Sequence, residues 1–200
     1  MSSTTLVVYH SRTGHTRRVA EALAKRLDAD LEEIVTDTPR EWLTGYALCA
    51  LEAMTQCTPD LKRARHDPAH YERVLIGTPV WCWSLSSPVR AWVRRHPLGK
   101  AKLAFFCTMG GSGAERVFAQ LEEACARAPE ATLALTEQQP SQDIEPALDR
   151  FIAALERPTS AKGARKAAPK PAAKSAPKPV EKPPAKPAPR RARAVQRAAR

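Results

Sequence analysis

Between Leu6 and Leu155 the chain alternates short apolar runs with longer stretches that carry an apolar stripe on one side, and this alternation limits the available folds more than any other feature. The runs are Leu6–His10, Leu31–Val35, Val74–Gly77, Leu103–Cys107 and Thr132–Leu135. Four are apolar almost throughout, as strands covered on both faces must be. Leu31–Val35 carries Glu32 and Glu33 and reads as an edge strand. Between the runs, Thr16–Leu27 aligns Val19, Ala20, Leu23, Ala24 and Leu27. Pro88–Arg95, Gly113–Ala128 and Gln142–Leu155 show similar stripes, and Arg40–Gln56 is a fifth helical segment. Strands alternating with helices predict an α/β domain with a five-stranded parallel sheet and right-handed crossovers. Ligands of such sheets sit beyond the carboxyl ends of the strands, so the loops after strands one, three and four matter most.

The first loop is Ser11-Arg12-Thr13-Gly14-His15-Thr16. A helix start offers unpaired N–H groups and the positive end of a dipole, which suits a phosphate. Gly14 permits a tight turn beside an anion, and Ser11, Thr13 and Thr16 supply hydroxyls. The competing reading is a simple turn with Thr16 as helix cap. The second loop, Thr78 to Pro88, carries Thr78, Pro79, Val80, Trp81, Cys82 and Trp83. Two indoles at a sheet edge point either to a flat aromatic ligand or to a plug in the core or a subunit contact. The third loop holds Thr108, Met109, Gly110 and Gly111, then Ser112 and Gly113. Its glycines allow close approach of a ligand or serve as a loose connection.

Taken in order, S-R-T-G-H-T after a strand, G-T-P-V-W-C-W with S-P-V-R-A-W downstream, and C-T-M-G-G-S-G-A-E-R resemble the short-chain flavodoxin-like family over about residues 4–155. The resemblance implies a flavodoxin-like doubly wound sheet of order 2-1-3-4-5 and bound FMN. Ser11–Thr16 would then hold the phosphate, with Arg12 and His15 inside that loop. Pro79–Trp83 and Thr108–Gly111 would flank the ring system. The flavin carries the redox chemistry, so no catalytic acid, base or nucleophile is assigned. Electron carrying and reduction of a small acceptor both fit, with a redox protein, NAD(P)H or a quinone as partner. Electron-carrying flavodoxins are strongly acidic, and this chain departs from that pattern.

The departure appears in the charge distribution. Of the formal +11, Pro158–Arg200 contributes seven Lys, six Arg and one Glu, a net of +12. Residues 1–157 hold 19 basic and 20 acidic residues, a net of −1, which excludes a compact basic nucleic-acid module. The last 43 residues contain nine Pro and thirteen Ala, with no aromatic residue, Leu or Ile. Such a segment buries too little apolar surface to offset its ordering entropy, so a disordered, partly polyproline-like tail follows a domain at 1–157. The tail supplies a second function class: an interaction protein touching nucleic acid or another polyanion without base preference, above a mainly structural body. Five Cys in no disulfide-scaffold pattern, with neither a secretory leader nor a membrane-length apolar run, predict free thiols and a cytoplasmic protein.

Other features read as structural. Cys57 and Arg63 have a C-x5-R spacing, but no strand precedes them and Pro59 interrupts the loop. His66 and His70 flank Pro68, and nothing completes a metal set. Cys82 and Cys107 read as buried thiols near the expected flavin. Trp42–Met54 has more apolar surface than one stripe requires. The surplus leaves open a homodimer contact, a lid, a docking face for an apolar partner, or a well-buried helix.

Overall fold

A computed structural model of the chain describes residues 4–37, 59–137 and 141–157. The expected helix Arg40–Gln56, the apolar face at Trp42–Met54, Cys57 and the tail lie outside these residues. In chain order the elements are β1 (Thr5–Tyr9), α1 (His15–Leu27), β2 (Asp30–Glu33), β3 (Arg73–Trp81), β4 (Ser84–Leu85), α2 (Ser87–Arg95), β5 (Lys102–Met109), α3 (Ala114–Cys125), β6 (Ala131–Thr136) and α4 (Ser141–Glu156).

Five strands run parallel in the order β2-β1-β3-β5-β6. This is the expected 2-1-3-4-5 once the short β4 is passed over. β4 pairs antiparallel with the end of β3 and was not anticipated. The difference arises because β3 runs through Thr78, Pro79 and Val80 to Trp81, in register with β5, before turning back.

Alternate side chains of each strand feed two cores, as the period of two requires. Leu6, Val8, Val74, Ile76 and Phe105 face α2 and α3, where they meet Val89, Trp92, Val117 and Leu121. Val7, Tyr9, Leu75 and Phe106 face α1 and α4, packing on Val19, Leu23, Leu148 and Phe151. Fully burying one such side chain stabilises by about 1.5–3 kcal/mol, so both layers hold the sheet edge in place. Gly77 is required at the centre: a Cβ there would lie 2.1 Å from Phe106 Cζ. These two residues face each other across β3 and β5.

β2 is the edge strand expected, yet Glu32 points inward at 6% exposure. Its carboxylate accepts the N–H of Arg65 at 3.1 Å and of His66 at 3.3 Å. The segment leading into β3 thereby covers the free edge, helped by an antiparallel bridge between Thr36 and Leu61. Tyr71 donates its hydroxyl proton to Asp30 at 2.8 Å, so His66 Nδ1 donates to the same oxygen, also at 2.8 Å. Burial, followed by the Asp30 hydrogen bond, pushes the Tyr71 hydroxyl up to about 12.

Candidate functional site

All three expected loops meet at the carboxyl edge of the sheet. Gly14 caps α1 with φ +90°, a conformation open to glycine but strained for other residues. Its N–H donates to Ser11 Oγ at 3.1 Å, closing the turn. Arg12 and Thr13 are exposed, and His15 is half-buried. The first turn of α1 contains no acid. Arg17 is committed elsewhere: it bonds Glu33 at 2.6 Å, and that bond, then Tyr9, raises its pKa.

Thr16 is placed differently from its neighbours. It is the second residue of α1, not its cap, and is 1% exposed. Its hydroxyl bonds Thr108 Oγ1 at 2.8 Å, joining the first loop to the end of β5.

The second loop is a hairpin. Trp81 opposes Ser84, which leaves Cys82 and Trp83 as a two-residue turn with φ +48° and +56°. That is the type I′ pattern, which favours Asn-Gly, so this turn holds two side chains in a costly conformation. Trp81 is half-buried and sits edge-on to His10, centroids 5.5 Å apart. Trp83 is 61% exposed and donates Nε1–H to Ser112 Oγ at 3.0 Å in the third loop. Gly113 lies beneath Trp83, where a Cβ would approach Val80 Cγ1 to 2.9 Å. Thr78 is fully buried and bonds Ser86 Oγ at 2.9 Å, bracing the hairpin, while Gln120 Oε1 accepts the Leu85 N–H at 2.7 Å.

The three loops are thus tied in pairs: Thr16 to Thr108, His10 to Trp81, and Trp83 to Ser112. His10 anchors the set, since its Nδ1–H donates to Ile34 O at 2.8 Å. Met109 is half-buried, and Gly110 and Gly111 are exposed with open space where a Cβ would point, as at Gly14. Cys82 is exposed, which corrects the expectation of a buried thiol; Cys107 is buried as expected. Burial pushes the Cys107 thiol up to about 12. Among the described residues no three His, Cys, Asp or Glu side chains form a metal-sized group. Sequence reasoning missed His10, Ser86, Ser112 and Gln120, whose roles depend on partners distant in sequence. A cleft of about 530 Å³ lies at the opposite end of the sheet beside Thr4, Glu72 and Lys100. Two of its cations, Arg73 and Lys102, are held by Glu130 at 3.5 and 3.2 Å.

A family model described as Flavodoxin matches residues 4–145. The chain belongs to the flavodoxin family. Solved structures agree on the flavodoxin fold. A flavoprotein from Lactobacillus acidophilus NCFM, solved in complex with FMN, is 18% identical with a TM-score of 0.58, over 76% of this chain and 99% of its own. A candidate flavoprotein from Bacteroides eggerthii DSM 20697 is 24% identical with a TM-score of 0.60, over 74% and 97%. The apo-form of the Lactobacillus acidophilus NCFM flavoprotein is 20% identical with a TM-score of 0.53, over 72% and 97%. No curated protein matches the sequence.

Proposed function

We propose that this flavodoxin-family chain binds FMN at the carboxyl edge of its sheet and moves electrons through the flavin. The observation that carries the reading is the convergence of three mutually bonded loops on that edge, with an anion-suited turn at one end and an exposed indole at the other. The donors fit the group. Thr13, the Ser11 hydroxyl and the N–H groups that open α1 suit a phosphate, with no acid in that first turn to oppose it. Open space over Gly14, Gly110 and Gly111 leaves room for close backbone approach. In this reading Ser11–Thr16 hold the phosphate, and Pro79–Trp83 and Thr108–Gly111 flank the ring. The flavin, when bound, supplies the redox chemistry; the chain orients it and limits its access to water. The electron partner would be a redox protein or a small acceptor, with NAD(P)H or a quinone as the small molecule. Free thiols at Cys82, Cys107 and Cys125 accord with a cytoplasmic setting. No helix among the described residues is long and apolar enough to cross a membrane. The visible spectrum of the purified full-length protein tests the reading. A colourless protein that takes up no added FMN refutes it.

A second reading concerns residues 158–200 as a segment separate from the domain at 1–157. Lys162, Lys166, Lys170, Lys174, Lys178, Lys182 and Lys186 fall at every fourth position. A regular ladder of cations without aromatic residues suits a repeating polyanion such as nucleic acid, read through phosphates and not bases. Duplex DNA titrations of full-length protein and of protein truncated after Arg157, at two salt concentrations, decide it. Binding should be steeply salt-dependent and vanish on truncation, while FMN affinity stays unchanged. Equal DNA binding by both forms refutes the tail reading.

A further inference from the structure

Arg90 is a buried cation that nothing described so far uses. It lies in the first turn of α2, directly after the Trp81–Ser84 hairpin, and is 6% exposed. Its Nη2 donates to Leu85 O at 3.1 Å, and its backbone N–H donates to Ser86 O at 3.1 Å. Nη1 is buried with no hydrogen-bond partner. No acid stands in that first turn. Burial first, and then Arg94 one turn further on, lower its pKa. A guanidinium nonetheless keeps its charge in a protein. The positive end of the helix dipole adds to the unfavourable surroundings.

A long apolar side chain would fill the same space without that penalty, since buried charges are generally no better for stability than well-packed hydrophobic groups. A retained charge calls for a negative partner. Among the described residues, the carbonyl that the side chain reaches belongs to Leu85, which faces Val80 across the hairpin. Val80 leads directly into Trp81, Cys82 and Trp83. The buried charge thus contacts the strand that pairs with the hairpin assigned to the flavin ring, and a buried charge is screened less than an exposed one.

We propose that Arg90 is the counter-charge for the negative charge a bound flavin ring acquires on reduction, a positioning residue that acts through the field and not by contact. This rests on the FMN reading. Two electrons from a reductant and one proton from solvent convert the neutral oxidised ring to a reduced ring carrying one negative charge; the phosphate charge is unchanged. A buried cation held at this strand favours the product over the reactant. It therefore raises the flavin's midpoint potential and tightens binding of reduced FMN relative to oxidised FMN.

The test uses the full-length chain and the variants Arg90→Lys, Arg90→Gln and Arg90→Met. Gln keeps a donor for Leu85 O without the charge, and it serves if Met fails to fold. Each protein is titrated with oxidised FMN, then reduced anaerobically with dithionite against reference dyes. Met and Gln should melt no lower than wild type and bind oxidised FMN within about twofold of wild type. Their preference for reduced over oxidised FMN should fall by about tenfold, with a more negative potential. Lys should stay near wild type. Unchanged potentials in folded, FMN-binding Met and Gln variants overturn the inference and leave the FMN reading standing. Equal shifts in Lys and Met overturn it too, by assigning the effect to packing. A wild type that binds no FMN overturns both.

Discussion

Gly77→Ala isolates the tightest contact in the sheet. The added Cβ would lie 2.1, 2.3 and 2.8 Å from Phe106 Cζ, Cε2 and Cε1. Ordinary contact begins near 3.4 Å, so the ring must withdraw by 3.4 − 2.1 = 1.3 Å. Phe106 is fully buried against Leu75, Leu133, Leu148 and Phe151, so that movement displaces a filled layer. Overpacking of this kind costs about 1–3 kcal/mol, and three ring atoms without an outlet put the value near the top of that range. For a domain of this size the melting temperature should fall by about 6–12 °C. Urea denaturation should show a lower midpoint at unchanged slope. Phe106→Leu should relieve the clash, making the double variant less destabilised than the sum of the singles by about 1 kcal/mol or more. Strictly additive effects, or a Gly77→Ala variant within about 0.5 kcal/mol of wild type, would refute the reasoning. Because Gly77 O accepts the His10 N–H at 3.2 Å, the same variant should also weaken FMN binding.

Thr13→Ala should weaken FMN by about 1–3 kcal/mol and leave riboflavin binding unchanged; equal losses for both, measured by fluorescence titration, would place the phosphate elsewhere. Trp83→Ala should reduce FMN affinity and remove most tryptophan quenching on binding, whereas Trp81→Ala should mainly lower stability through its contact with His10; unchanged affinity in Trp83→Ala would make the exposed indole structural. Cys82→Asn should stabilise the domain by about 0.5–1 kcal/mol, because Asn tolerates the left-handed turn better, and a lower melting temperature would contradict that. Burial raises the Cys107 thiol from 9.0 to about 12, so the unfolded chain releases this proton first as pH rises. Stability should be undiminished by this group below pH 9.0 and fall as pH climbs towards 12, and Cys107→Ala should flatten that slope in denaturant titrations.

Much of the fold was legible because parallel strands buried on both faces must be apolar throughout, and residues Leu6–His10 and Leu103–Cys107 have no other use for such a run. The extension of β3 was hidden because Thr78 and Pro79 look like loop residues, yet here they pair in register with Cys107 and Thr108. The hairpin escaped notice because turn chemistry is read from Gly and Asn, and neither occupies Cys82 or Trp83. Within the candidate site, the tight turn that Gly14 makes beside Ser11 was readable from local spacing alone. The use of the Thr16 hydroxyl was not, since its partner lies 92 residues away. Arg90 falls off the apolar stripe of Val89, Trp92 and Val93, so periodicity assigns it to solvent, but the fold buries it.

The pairwise ties among the three loops bear on how quickly a ligand is captured. Thr16 to Thr108, His10 to Trp81 and Trp83 to Ser112 fasten each loop to another part of the same cradle. Arrival of a ligand then requires little rearrangement of the cradle, so association should proceed in a single phase whose rate rises linearly with ligand concentration, without the plateau that a slow opening step imposes. Differences in affinity among variants of these loops should then appear chiefly as differences in how long the ligand stays.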